Sequence, residues 1–128
     1  MEPADLRYHK EHEWIRMQGK QATLGISQFA QDALGDIVYI EMPKVGATVT
    51  AGQEIGEIES TKTTSMLYTP VSGTIVKVNT ELKAHPEVVN QDPYGKGWLA
   101  VIELSDPAQA NALMTAAQYE AFLTSQKK

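Results

Sequence analysis

The sequence contains no cysteine in its 128 residues. That absence excludes disulfides, zinc–thiolate sites, thiol nucleophiles and any redox dithiol supplied by the chain itself. Redox chemistry would have to arrive on an attached group. A surplus of positive charge is also missing: 16 Asp and Glu against 11 Lys and Arg leave a formal net charge of −5. Such a surface repels phosphate backbones, so nucleic acid is not expected as a partner. There is no Lys/Arg run to seek an anionic membrane surface, and no stretch approaches the roughly 18 apolar residues of a membrane span. Met1-Glu2-Pro3-Ala4-Asp5 carries two acids and no apolar segment, unlike a secretory signal. The expectation is a cytoplasmic protein without a membrane partner. Its 42% hydrophobic content suffices for a core, and its length suits one domain over residues 1–128.

Short β-prone segments fill most of the chain. Glu13–Met17 and Ala22–Ile26 flank Gln18-Gly19-Lys20 and predict a hairpin. Ser27 can cap a helix whose apolar face is Phe29, Ala30, Ala33 and Leu34, with Gly35 suited to the left-handed closing position. Strands are expected over Asp36–Glu41, Glu54–Ser60, Thr64–Thr69, Gly73–Asn79 and Trp98–Leu104. Val45–Gly52 reads as a strand edge and tight turn, Thr80–Asn90 as irregular chain or a helical turn, and Asp92–Gly97 as turn chemistry. Asp106-Pro107 and the capping box Thr115-x-x-Gln118 open two C-terminal helices, after which the chain ends in polar Ser125–Lys128. The pattern predicts an all-β sandwich or small barrel with one early helix and appended C-terminal helices.

No enzyme can be assembled from these residues. His9 and His12 lack a third metal ligand at suitable spacing and read as a solvated N-terminal segment. His85 stands in a loop beside Pro86. There is no nucleophile elbow or phosphate loop, and Gly95-Lys96-Gly97 is too short to cradle phosphate. Along a strand, Glu57 and Glu59 share one side and Ile58 takes the other, which describes a solvated face and not a divalent-ion site.

Lys62 is the residue to single out. It stands between two strand segments, flanked by Glu59-Ser60-Thr61 and Thr63-Thr64-Ser65. A lysine at a hairpin tip is accessible on a rigid base, as a modifying enzyme and a tethered prosthetic group both require. Acylation of its amine removes the charge and extends a flexible stem. Most lysines at turns are merely solubilising, so position alone does not assign it.

The wider pattern does. Glu59-Ser60-x-Lys62, Ser65 and Leu67-Tyr68-x-Pro70-Val71-Ser72-Gly73 resemble the lipoyl-attachment signature of the glycine cleavage H-protein family. His12-Glu13-Trp14, Ala30-Gln31-x-x-Leu34-Gly35-Asp36-Ile37-Val38 and Pro86-Glu87-x-Val89-Asn90-x-Asp92-Pro93-Tyr94-Gly95-x-Gly97-Trp98 extend the resemblance from Tyr8 to Phe122. Biotin domains with Met-Lys-Met, and 2-oxoacid dehydrogenase lipoyl domains with Asp-Lys-Ala, match less well.

The resemblance implies a lipoyl-domain barrel-sandwich hybrid, with a lipoyl core over about 8–104 and a C-terminal helical segment over about 106–124. It implies lipoate covalently on Lys62 and a non-catalytic swinging-arm carrier of the aminomethyl group of glycine. The implied partners are a pyridoxal-phosphate glycine decarboxylase, an aminomethyltransferase, a dihydrolipoyl dehydrogenase, and a lipoyl/octanoyl transferase or lipoate ligase. Glu59, Ser60 and Gly73 are implied as recognition determinants of the attaching enzyme. Glu13, Ser65 and Met66 are implied as the cleft that receives the loaded arm.

Met66 departs from the family, in which an acid follows the serine matching Ser65. The attachment sequence Ser60-Thr61-Lys62-Thr63-Thr64 also departs from the usual Ser-Val-Lys-Ala. Two alternatives therefore stay open at the level of sequence. One is a lipoate-binding protein carrying sulfur intermediates for a heterodisulfide-reductase-like complex, which a thioether-lined cleft would suit. The other is a relay that passes lipoyl groups to further carriers.

Overall fold

The structure is a computed structural model that describes residues 5–126. The acidic leader at residues 1–4 and the last two polar residues, 127–128, lie outside the described residues. In chain order the elements are β1 (Arg7–Tyr8), β2 (Glu13–Gln18), β3 (Gln21–Ile26), α1 (Gln28–Leu34), β4 (Ile37–Glu41), β5 (Thr48–Val49), β6 (Glu54–Ser60), β7 (Thr64–Tyr68), β8 (Gly73–Val78), α2 (Glu81–Ala84), α3 (Val88–Gln91) and β9 (Ala100–Leu104). A 3-10 helix, Pro107–Ala112, and α4 (Ala116–Gln126) follow.

Local chemistry explains most boundaries. Gly19, at φ +61°, turns β2 into β3, and the pair runs in register from Glu13↔Ile26 to Gln18↔Gln21. Ser27 Oγ accepts the Ala30 N–H at the start of α1, and Gly35 ends it at φ +82° by donating its N–H to the Gln31 carbonyl. Asp106 caps the 3-10 helix through the Ala108 N–H. Both bonds of the Thr115/Gln118 capping box form, at 2.9 and 3.3 Å.

The strands build a six-stranded sheet, β1-β2-β3-β9-β8-β5, and a three-stranded sheet, β4-β6-β7. All of their pairings are antiparallel. This corrects the expectation of a closed barrel-sandwich hybrid. Neither sheet curls onto itself, and among the described residues no ladder joins the two. β4, β6 and β7 pair only with one another, and β5 is too short to carry the large sheet further. At the other border, β1 meets the C-terminal chain through a bridge between Tyr8 and Met114. The helices differ from expectation too. The described residues hold five helical segments, because α2 and α3 each form one turn in the β8–β9 connection and the first C-terminal helix is 3-10.

Core residues fall into clusters that position the Lys62 region. Ile15, Leu24, Ile75 and Ile102 pack on one face of the large sheet. Leu34, Ile37, Ile40, Ile58, Leu67, Leu82 and Val89 join the small sheet to α1, α2 and α3. Leu6, Tyr8, Trp14, Ala116 and Tyr119 fasten α4 over β1 and β2. Tyr8 and Tyr119 stack with ring centroids 4.7 Å apart, an arrangement worth about 1 kcal/mol beyond its buried area. His12 is therefore not fully solvated as its sequence suggested, because α4 folds over it, while Lys10 and Glu11 stay exposed.

Candidate functional site

Lys62 lies in the connection between β6 and β7, where residues 61–64 are all exposed. The turn contains no glycine. Ser60 organises it instead: its hydroxyl oxygen accepts the N–H groups of Lys62 and Thr63 at 3.2 and 3.1 Å and donates to the Thr63 carbonyl. The Ser60 N–H also donates to that carbonyl, at 2.8 Å. A short side chain that satisfies successive backbone donors fixes a tight turn without a left-handed residue.

The turn is docked on the end of α1. The Thr61 N–H donates to the Asp36 carbonyl at 3.0 Å. The aliphatic stem of Lys62 crosses Gly35, where an added Cβ would stand 2.8 Å from Lys62 Cε. Among the described residues no carboxylate lies within ion-pair distance of the Lys62 ammonium. The amine is thus presented outward, unneutralised, on a defined base.

The other residues implied by the resemblance are placed as follows. Glu59 is the penultimate residue of β6, three positions before Lys62 and opposite Thr64 in the ladder. Gly73 lies in the other sheet, and its bareness has a packing cause: an added Cβ would come within 2.0 Å of the Glu103 carbonyl oxygen. Met66 pairs with Glu57 and Ser65 with Ile58, so Met66 and Ser65 project from opposite faces of β7. Met66 borders an open groove with Pro43, Ala47 and Ile55 on the outer side of the small sheet.

Glu13 is 2% exposed, and both of its carboxylate oxygens are engaged. His9 Nδ1 lies 2.8 Å from one oxygen, and the Tyr68 N–H donates to the other at 3.3 Å. Burial pushes its carboxyl above the ordinary range, against the lowering effect of His9. Glu13 thus ties the N-terminal segment to β7.

Two further groups were missed from sequence. Asn90, on α3, hydrogen-bonds to Gly35, Gln31 and Ile37 around the Lys62 turn. His12 has φ +76°, which is sparse for a residue with a side chain. Its Nδ1 lies 2.7 Å from the Tyr119 hydroxyl, which in turn lies 2.7 Å from the buried Ser27 hydroxyl at the head of α1. Half-burial lowers the His12 pKa; nearby His9 also lowers it, while Glu11 raises it. The signals available beforehand were the motif position of Asn90 and the apolar Tyr119/Phe122 face, and neither names its partner.

The match to known proteins agrees with this geometry. The family model for the glycine cleavage H-protein matches residues 6–126. The chain is 55% identical over 121 residues to the glycine cleavage system H protein of Myxococcus xanthus, which spans 94% of each chain. It is 52% identical over 118 residues to that of Bacillus subtilis, covering 92% of this chain and 93% of the relative. The crystal structure of a glycine cleavage system H protein from Mycobacterium marinum superposes with a TM-score of 0.88 at 40% identity, covering 96% of this chain and 99% of that one. The chain belongs to the glycine cleavage H-protein family.

Proposed function

We propose that Lys62 is the residue of this chain that carries the lipoyl group. As a member of its family, the chain is a lipoyl-bearing, non-catalytic carrier that shuttles the aminomethyl group of glycine in the glycine cleavage system. The observation that carries the site assignment is the Ser60-tied turn, which holds over Gly35 an exposed lysine with no ion pair among the described residues. The residues present fit the group, because acylation of this amine breaks no ion pair among the described residues and displaces no buried contact.

When attached, the dithiolane supplies the redox and group-carrying chemistry. The chain supplies its placement. Ser60 fixes the backbone from which the stem leaves, Gly35 leaves room for that stem, and the Thr61–Asp36 bond holds the turn to α1. Glu59, on the same hairpin, is within reach of an enzyme that acts on Lys62. Gly73 contributes through backbone packing against β9.

The partners are the other components of the glycine cleavage system: the pyridoxal-phosphate decarboxylase, the aminomethyltransferase and the dihydrolipoyl dehydrogenase. A lipoyl/octanoyl transferase or lipoate ligase installs the group, and the shuttle works in the cytoplasm beside those enzymes. The sulfur reading has no support. It rested on Met66 standing where the family has an acid, and the relatives that the chain matches are glycine cleavage system H proteins. No observation favours the relay reading.

The test is intact mass after expression with lipoate and a lipoate ligase. The unsubstituted chain gains one lipoyl adduct. Lys62→Arg gains none and keeps its melting temperature. An adduct on the Arg variant would overturn the assignment.

A further inference from the structure

We infer that Asn90 is a positioning residue for the Lys62 arm. The inference rests on the reading of Lys62 as the attachment site. Asn90 lies on α3, 28 positions beyond Lys62 in the sequence. Its side-chain amide has two N–H donors and one carbonyl acceptor, and all of them are used on one short piece of backbone and its helix. Nδ2 donates to the Gly35 carbonyl at 2.8 Å and to Gln31 Oε1 at 2.9 Å. Oδ1 accepts the Ile37 N–H at 2.9 Å.

Gly35 and Ile37 flank Asp36, whose carbonyl receives the Thr61 N–H at 3.0 Å. Asn90 therefore grips the chain on both sides of the anchoring carbonyl: a donor before it and an acceptor after it. The Ile37 N–H and the Asp36 carbonyl belong to one planar trans peptide, so holding that N–H on Asn90 turns the carbonyl the opposite way, toward Thr61. Gly35 also bears the Lys62 stem. A single amide thus sets both contacts between the Lys62 turn and the end of α1, without touching Lys62.

The chemistry requires an amide. Asn90→Asp keeps the shape and the acceptor but loses both donors. It also sets a carboxylate oxygen against the Gly35 and Gln31 oxygens, at distances where each was accepting an N–H. Asn90→Ala removes all three bonds. Gln31→Ala removes only the bond to the helix side chain and leaves the grip around Asp36 intact.

The test is backbone amide hydrogen exchange on the full, unmodified chain and these variants. It is paired with steady-state kinetics of a lipoate ligase that uses each as substrate. In both Asn90 variants, Thr61 exchange accelerates at least tenfold while the amides of Ile15, Leu24 and Ile102 hold their rates. KM for the carrier rises at least fivefold with kcat unchanged, since the reacting amine is intact and only its presentation is loosened. Gln31→Ala stays within threefold on each measure. The inference is overturned if Thr61 exchange is unchanged, if all amides accelerate together, or if both Asn90 variants fail to fold, since Asn90 would then serve the fold at large. Absence of any adduct on the unsubstituted chain would instead sink the Lys62 reading and leave the exchange result standing.

Discussion

Lys20 and Lys62 both stand in hairpin turns, and both are exposed. Their turns are built differently. The β2–β3 turn gains its tightness from Gly19 in the left-handed region, with open space where a Cβ would be. Its link to the rest of the sheet is the Lys20 carbonyl, which accepts the Leu104 N–H. The β6–β7 turn has no glycine and is held by the Ser60 hydroxyl, docked through Thr61 and crossed by a lysine stem resting on Gly35. Exposure and location at a tip are common to both lysines. What distinguishes Lys62 is side-chain control of the backbone beneath it.

The largest expected contrast is in modification. Lys20→Arg should leave the lipoyl adduct at full occupancy, against the complete loss expected of Lys62→Arg, with intact mass as the readout. Loss of adduct in the Lys20 variant would remove the distinction.

Next in size is a contrast between glycines. Gly73→Ala forces a methyl against the Glu103 carbonyl and should cost about 3 kcal/mol or more in urea unfolding. Gly19→Ala meets only the backbone penalty at φ +61° and should cost about 1 kcal/mol. Equal costs would mean that close strand approach is not what Gly73 provides.

Ser60→Ala should cost about 1 kcal/mol and raise the ligase KM for the carrier, because the Lys62 and Thr63 N–H groups lose their shared acceptor. The Lys20 turn has no side chain in that role. Unchanged ligase kinetics would show that the turn is organised without Ser60.

The smallest effect is a pH dependence that involves neither turn directly. The pKa of His12 is lowered in the fold, so its contribution to stability is present above 6.5 and is lost as pH falls through the folded value. The pKa of Glu13 is raised, so its contribution is present below 4.5 and is lost as pH rises through its folded value. The two act in opposite senses, so the His12 part is read by difference: as pH drops below 6.5 the melting temperature of the unsubstituted chain should fall relative to that of His12→Gln. A variant profile parallel to the parent would remove His12 as its cause.

Local order was legible because it is written in neighbouring residues. The β2–β3 hairpin, the Ser27 and Gly35 ends of α1, β6 and the Thr115/Gln118 box all formed where the sequence placed them. Sheet closure was not legible. It depends on which distant strands pair, and β4, β6 and β7 pair only among themselves. His12 looked solvated because what covers it is 107 residues further on, at Tyr119. Lys62 was singled out through its motif. The grip of Asn90 was not, since it spans 53 and 55 residues to Ile37 and Gly35. Grouping Ser65 with Met66 overlooked that successive strand residues face opposite ways.

On the proposed attachment at Lys62, the contact between its stem and Gly35 moves the pivot of the arm. A side chain free from its α-carbon would wave through every rotamer of its own methylenes before reaching any load. Here Cδ, Cε and Nζ of the stem lie over the bare face of Gly35, which narrows the rotamers open to it. The tip then sweeps a narrower cone, aimed outward from the end of α1. A crane hinged near its hook covers less ground and returns to the same spot more often.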